Sequence, residues 1–430
     1  MKISVFGLGY VGCVTAACLA RDGHQVIGVD VNLDKVKAIN DGRSPVLEPG
    51  LDNLIAEMVL GQRLSATGDA GHAMYESEVA LICVGTPNRE NGSLDLRYLE
   101  QVCGEIGDTL KRIQDYRVIV IRSTVLPGTT QGCIVPILEQ TAHRKLERDF
   151  GVCVNPEFMR EGSSLRDFRE PPFTLVGEIE PGRASEVVAQ MYAGTTAPLI
   201  RTTARTAEML KYVNNTWHAL KVAFANEIGA LCQTEAIDAN ALMELFCRDT
   251  RLNISAAYLI PGFAFGGSCL PKELRALTYY ARTKDLRLPL IESVMPSNDE
   301  HIRRALRQIV ATGKKRVAML GLSFKSKTDD LRDSPFVALA ETLLGKGYDL
   351  RIYDPDVRLA ELTGTNKAYI EREIPHIGRL FVNSAAEMTS NAEVIVVGKS
   401  SQEFADALAR AGKEKIIVNL VGDSNQMGSD

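Results

Sequence analysis

Along residues 1–203 the apolar positions fall into short, β-branched runs: KISVFGLG, HQVIGVDV, VALICVGTP and YRVIVIRSTV. Each run is apolar enough to be covered on both faces, as strands of a parallel sheet are. Segments with helical spacing such as LRYLEQVCGEIGDTL separate them, so the pattern predicts βαβ units. From residue 204 the period changes. ARTAEMLKYVNNTWHALKVAFANEIGALCQTEAI has no proline and only Gly229 to weaken it, and predicts one long, mostly buried helix. Shorter helices are expected to about residue 310. Alternation then resumes with strand KKRVAMLGLSF, helix SPFVALAETLLGKG and strand YDLRIYDP, and with AEVIVVGK and EKIIVNLVG as later strands. HQVIGVD and YDLRIYD both end in Asp, a loose internal echo.

The expected fold is therefore α/β. Two Rossmann-like, doubly wound domains, 1–203 and 311–430, are joined by a long central helix and a helical region, 204–310. GLGYVG closes the first strand and opens a helix. Gly7, Gly9 and Gly12 permit a tight turn, close approach of a pyrophosphate and tight helix–strand packing, and the helix N-terminus favours phosphate charge. Asp30 ends the second strand, where a carboxylate holds the adenosine ribose hydroxyls and disfavours a 2′-phosphate. The cofactor read from these residues is NAD rather than NADP.

Other motifs sit at strand ends, where such a sheet binds its ligands. VGTP and RSTVLPG place Thr86 and Thr124 there, to hold cofactor or merely to cap helices. NPEFMREGSS sets Glu157 and Glu161 four apart; a helix would put both carboxylates on one face, and solvated surface is the other outcome. On the long helix Lys211, Asn215 and His218 fall at i, i+4 and i+7 beside apolar Val222. Such a polar stripe needs partners or a ligand. The lysine and asparagine suit an oxyanion, while an internal salt bridge and a satisfied amide explain them equally.

FAFGGSCLPKE, residues 263–273, is a shaped loop because two glycines and a proline propagate neither helix nor central strand. Its Cys269 is flanked by glycines, with Lys272 close by to favour thiolate. A thiolate beside NAD suggests covalent oxidation, in which thiol adds to an aldehyde, hydride leaves and water cleaves the thioester. A structural loop cysteine is the plainer reading. GLSFKSKTDDLRDSP lacks GxGxxG, so the last domain is not a second standard NAD site; its Lys325 and Arg332 suit phosphates, or else are surface charge.

Composition narrows the classes. The 430 residues are 45% hydrophobic and 24% charged with net charge −5 and no basic run, which argues against nucleic-acid partners. No apolar stretch reaches membrane-spanning length, and the N-terminal run fits a strand and turn better than a signal peptide. Nine cysteines without a CxxC pair suit reduced, cytoplasmic thiols, and six scattered histidines form no metal-ligand spacing. No metal is expected.

GLGYVG, VGTP, STVLPG, NPEFMREG, KYVNN, FAFGGSCLPK and FKSKTDDLR, in this order, resemble the UDP-glucose/GDP-mannose dehydrogenase family across essentially the whole chain. Within it, PGFAFGGSCLPK, GLSFKSKTDDLRDSP and NKAYIEREIPH are most similar to the branch that oxidises GDP-mannose for alginate-type polysaccharide. The resemblance implies an NAD-binding domain, a central dimerisation region, a nucleotide-sugar domain and assembly as a homodimer or larger homo-oligomer. It also implies four-electron oxidation of C6 to a carboxylate with two NAD and no free aldehyde. Cys269 would be the nucleophile, Lys211 and Asn215 would stabilise the C6 oxygen, and Thr124 and Glu157 would assist proton transfer through water. NAD would touch Tyr10, Val11, Asp30, Lys35, Thr86, Thr124, Lys272 and Arg332. The sugar nucleotide would touch Glu161, Lys211, Asn215, His218, Asn226, Tyr258, Phe263, Gly266 and Lys325.

Three positions depart from the family pattern. Glu273 stands where the family usually has Asp, a change that bears on a catalytic water or a lysine contact, and Ala257 and Ile260 replace a Tyr and an Arg of the substrate loop. These leave open the UDP-glucose-oxidising branch and a non-catalytic binder of NAD and nucleotide sugar. A β-hydroxyacid dehydrogenase shares the first domain and a KxxxN helix, but it is shorter and needs no cysteine.

Overall fold

Two sheets organise the computed structural model, which describes residues 1–87, 89–90, 93–255, 262–267, 270–323, 331–357, 375, 377–412 and 414–421. It also leaves the side chains of Val222, Ala223, Gln233, Lys272, Glu273, Ala276, Thr389 and Ser390 undescribed. The chain divides into two compact units, Met1–Ala219 and Leu220–Asp430.

The first unit holds β1 (Lys2–Phe6), β2 (Gln25–Val29), β3 (Leu64–Thr67), β4 (Val79–Ile82), β5 (Arg117–Ile121), β6 (Phe150–Val154), β7 (Thr174–Glu178) and β8 (Leu199–Thr203). They are ordered β3-β2-β1-β4-β5-β6-β7-β8. Every pairing is parallel except β6–β7. The sequence pattern missed β3, β7 and β8, because LSAT, TLVGE and LIRTT mix polar and apolar letters without a continuous run. Strands β4 and β6 are buried at every position. Alternate residues feed opposite faces: Ile3, Val5, Val79 and Leu81 join one core, and Phe6, Ala80 and Ile82 the other. Two covered faces explain why these strands read as unbroken apolar runs.

The second unit repeats this plan in small. β9 (Arg316–Leu320), β10 (Asp349–Tyr353), β11 (Val394–Val397) and β12 (Ile416–Asn419) pair in parallel in the order β10-β9-β11-β12. Val317 and Met319 face one core, Ala318 and Leu320 the other. In both sheets the first strand lies between its second and a later one, so winding reverses beside β1 and beside β9. Beside β1 a crevice opens at the carboxyl ends of the strands. The doubly wound α/β expectation holds for both ends of the chain.

In chain order the first sheet is followed by helices Ala204–Thr234, Ala239–Cys247, Leu270–Thr283 and Pro289–Ala311, and then by the second sheet. The long helix is present, but it is not mostly buried. Ala204, Ala207, Glu208 and Lys211 are buried, whereas Val213, Trp217 and Leu220 are 49%, 39% and 41% exposed. A run of apolar letters does not distinguish a core-facing helix from one with an uncovered apolar face. Among the described residues no helix is long and apolar enough to cross a membrane.

Candidate functional site

The three glycines of GLGYVG are required for three different reasons. Gly7 has φ +95, and a Cβ there would lie 3.1 Å from the Cys83 carbonyl. At Gly12 a Cβ would lie 1.8 Å from the Gly7 carbonyl oxygen, so helix Tyr10–Arg21 packs on the turn only without a side chain. Gly9 differs: nothing lies within 4 Å of its Cβ position. Open space there is what a pyrophosphate passing close to the backbone needs. Gly9→Ala is therefore expected to weaken NAD binding by roughly tenfold at nearly unchanged stability. Gly12→Ala should lower the unfolding free energy by about 1–3 kcal/mol, the usual cost of overpacking. Calorimetric titration and thermal unfolding separate the two effects.

Asp30 stands where the second strand ends. Its carboxylate accepts from Leu8 N at 2.8 Å and Asn32 N at 2.9 Å, and Lys35 Nζ lies 3.3 Å away. A cavity of about 480 Å³ runs from Gly7 and Gly9 to Asp30 and Lys35, walled by Tyr98 and Gln101 of helix Arg97–Leu110. The open glycine turn at one end and the carboxylate at the other fit a dinucleotide. Sequence reading missed Tyr98 and Gln101, because nothing marks which helix face looks into a crevice. Tyr10 and Val11 open the helix above the turn, half-buried. Thr86 Oγ1 donates to the Thr124 carbonyl at 2.6 Å, so the VGTP and STVLPG loops are tied together beyond β4 and β5.

Lys211 and Glu157 are brought together. Lys211 Nζ donates to Glu157 Oε1 at 2.7 Å and to the Glu157 carbonyl at 2.8 Å, and each side chain is 10% exposed. Glu157 Oε2 accepts from Met159 N at 2.7 Å. An ammonium has three N–H donors, so one remains after these two bonds. The internal salt bridge foreseen for Lys211 is thus compatible with a bond to a substrate oxygen. Residues 155–160 are irregular and Glu161 lies exposed in a turn, so the helix that would align Glu157 with Glu161 does not form. Asn215, His218 and Asn226 follow Lys211 on the long helix and are exposed.

Two anchors of this region carry no sequence signal. Glu208, one turn before Lys211 and only 2% exposed, accepts from Gly128 N and from Thr130 N, the latter at 2.9 Å. It pins the STVLPG loop to the long helix. Arg122 donates to Asn155 Oδ1 at 2.6 Å, fixing the first residue of NPEF. A single acid or amide whose partner lies tens of residues away leaves no local pattern.

In the second unit Phe263 stacks on Phe336 with ring centroids 4.8 Å apart. A Cβ on Gly266 would lie 2.4 Å from the Asp333 carbonyl oxygen, so this glycine is required by packing within the unit. Asn298 clamps the residue before it, accepting from Phe265 N and donating to Phe265 O, both at 2.9 Å. Arg332 lies in the turn ahead of helix Pro335–Gly345. Tyr258, Cys269 and Lys325, with Ala257 and Ile260, lie outside the described residues; so do the side chains of Lys272 and Glu273, although their backbone belongs to helix Leu270–Thr283.

The internal echo extends to individual bonds. Gly7 N donates to Val29 O at 2.7 Å and Gly321 N to Tyr353 O at 2.9 Å. Leu8 N donates to Asp30, and Leu322 N to Asp354 Oδ2 at 2.7 Å. The difference is Lys399, after β11: its Nζ lies 2.8 Å from Asp354, with side-chain exposures of 3% and 0%. Asp354 is therefore sealed by an internal cation and is closed to a ribose.

Family comparison agrees with this geometry. Residues 1–196 match the UDP-glucose/GDP-mannose dehydrogenase family NAD binding domain, residues 205–300 its central domain and residues 318–423 its UDP binding domain. The chain belongs to the UDP-glucose/GDP-mannose dehydrogenase family, and its cofactor is NAD. It is 47% identical to the GDP-mannose 6-dehydrogenase of Pseudomonas putida, over 99% of this chain and 97% of that protein. A UDP-glucose 6-dehydrogenase of Haloferax volcanii is 34% identical over 97% and 96% of the two chains. The crystal structure of a ternary complex of GDP-mannose dehydrogenase from Pseudomonas aeruginosa superposes with a TM-score of 0.95 at 45% identity, covering 100% of this chain and 98% of that one.

Proposed function

We propose that this chain oxidises C6 of GDP-mannose to a carboxylate, giving GDP-mannuronate for an alginate-type polysaccharide. The observation that carries the reading is the buried Lys211–Glu157 pair, set beyond β6 of the sheet whose β1 ends in the open glycine turn. The whole-length likeness to GDP-mannose 6-dehydrogenases supports the substrate over UDP-glucose.

NAD supplies the hydride acceptor, one molecule for each two-electron step. Lys211, with Asn215 on the next turn, donates to the C6 oxygen as negative charge develops there. Glu157 holds the ammonium in place, and its carboxylate keeps lone pairs for the water that takes the proton of the C6 hydroxyl, with Thr124 orienting that water. The thiolate of Cys269 adds to the aldehyde carbon to form a thiohemiacetal, and loss of the second hydride leaves a thioester. Water then breaks the C–S bond, giving the carboxylate and returning the thiol; Glu273 is assigned to positioning that water. Lys272 and Arg332 are assigned to the cofactor. Glu161, His218, Asn226, Tyr258, Phe263, Gly266 and Lys325 are assigned to the sugar nucleotide.

Functionally we divide the chain into an NAD domain (1–203), a dimerisation domain (204–310) and a nucleotide-sugar domain (311–430). The half-exposed Val213, Trp217 and Leu220 support burial of the long helix in a homo-oligomer, and the reduced cysteines support the cytoplasm. Incubation with excess NAD and limiting GDP-mannose is expected to yield two NADH per sugar consumed. One NADH with free aldehyde would sink the thioester route, and turnover of UDP-glucose alone would reassign the substrate.

A further inference from the structure

Glu48 lies in the loop between helices Leu33–Asn40 and Leu51–Leu60, 6% exposed, and has no place in the mechanism above. One carboxylate oxygen accepts from the Tyr10 hydroxyl and from Gly162 N at 2.7 Å; the other accepts from Ser164 N at 2.8 Å. Burial raises its pKa, but the bonds from Tyr10, Gly162 and Ser164 outweigh burial and hold it below the ordinary carboxylate value. The group is a fixed anion. Tyr10 belongs to the cofactor turn, and Gly162 and Ser164 belong to the loop that carries Glu157 and Glu161. One side chain therefore fastens two ligand-bearing loops that are more than a hundred residues apart in sequence.

We propose that Glu48 is a positioning residue that couples the two ligands: cofactor seated on the GLGYVG turn fixes Tyr10, and through Glu48 fixes the loop that receives the sugar. The inference rests on the function proposed above. Two ligands that each order the same linkage bind more tightly together than apart, and the factor is reciprocal. Neither residue needs to move far, because the bonds are already formed and only their freedom changes.

The test is NAD affinity by calorimetric titration of the full chain, with and without GDP-6-deoxymannose, which lacks the oxidisable hydroxyl. In the wild type the sugar nucleotide should tighten NAD about fivefold or more. Tyr10→Phe, which removes only the hydroxyl link, should bring that ratio towards one while unfolding within a few degrees of the wild type. Glu48→Gln should do the same, since its amide N–H₂ faces a main-chain donor, and Glu48→Asp should restore part of the ratio. A wild-type ratio retained in both Tyr10→Phe and Glu48→Gln overturns the proposal, as does wild-type protein that binds both ligands without coupling. If the wild type fails to bind the GDP-sugar, the substrate reading fails instead. The linkage is then read from NAD alone, whose affinity Glu48→Gln should lower several-fold and Glu48→Asp partly return; unchanged NAD affinity overturns it.

Discussion

Cys269→Ala should cut formation of the carboxylate by roughly a thousandfold or more, as loss of a covalent nucleophile does. The first oxidation does not need the thiol: the C6 hydroxyl loses its proton, C6 loses a hydride to NAD, and an aldehyde remains. The second oxidation needs a tetrahedral carbon bearing oxygen, and without Cys269 only the hydrated aldehyde offers one. Trapping with a hydrazine should therefore recover the aldehyde from the variant and none from the wild type. Carboxylate produced at the wild-type rate would refute the assigned role. Glu273 enters the same experiment: Glu273→Asp, which restores the usual family residue, should leave two NADH per sugar and alter only the rate of thioester hydrolysis.

The second large effect lies at Lys211. Lys211→Met removes a cation from a pair whose members are each 10% exposed, leaving Glu157 as an uncompensated, largely buried anion. Breaking such a pair on one side costs about 3–5 kcal/mol of stability. It also removes the donor to the C6 oxygen, for a loss in kcat of roughly a hundred- to a thousandfold. The double variant Lys211→Met/Glu157→Gln separates the two. Its stability should recover most of the loss, because no charge is left buried, while its turnover stays low. Full activity in either variant would remove Lys211 from the chemistry.

What could be read from the letters follows from range. The glycine turn and Asp30 were legible because their spacing is local and each residue type has a steric or ionic reason to be there. Four long-range fastenings were not: Glu208 to Gly128 and Thr130, Arg122 to Asn155, Asn298 to Phe265, and Glu48 to Gly162 and Ser164. Each is one polar side chain reaching main chain or an amide far away in sequence. Pairing of Lys211 with Glu157 was half legible, since the helix stripe demanded a partner without naming it. The burial of the long helix was misread for a different reason. Val213, Trp217 and Leu220 have the composition of a core and the exposure of a surface, and apolar letters alone do not tell the two apart.

For the function proposed above, the sealed Asp354 also has a consequence for supply of the cofactor. Among the described residues only the first sheet keeps an open glycine turn, and the four-electron oxidation proposed above would send both electron pairs through that one seat. Gly7, Gly9 and Asp30 would then have to hold a second NAD while the half-oxidised sugar stays bound. On that route each turnover would sample the surrounding NADH/NAD ratio twice, and carboxylate output should fall more steeply with that ratio than in a single-oxidation dehydrogenase. By closing Asp354 to a ribose, the buried Lys399 would leave the chain to gauge its redox supply at a single seat.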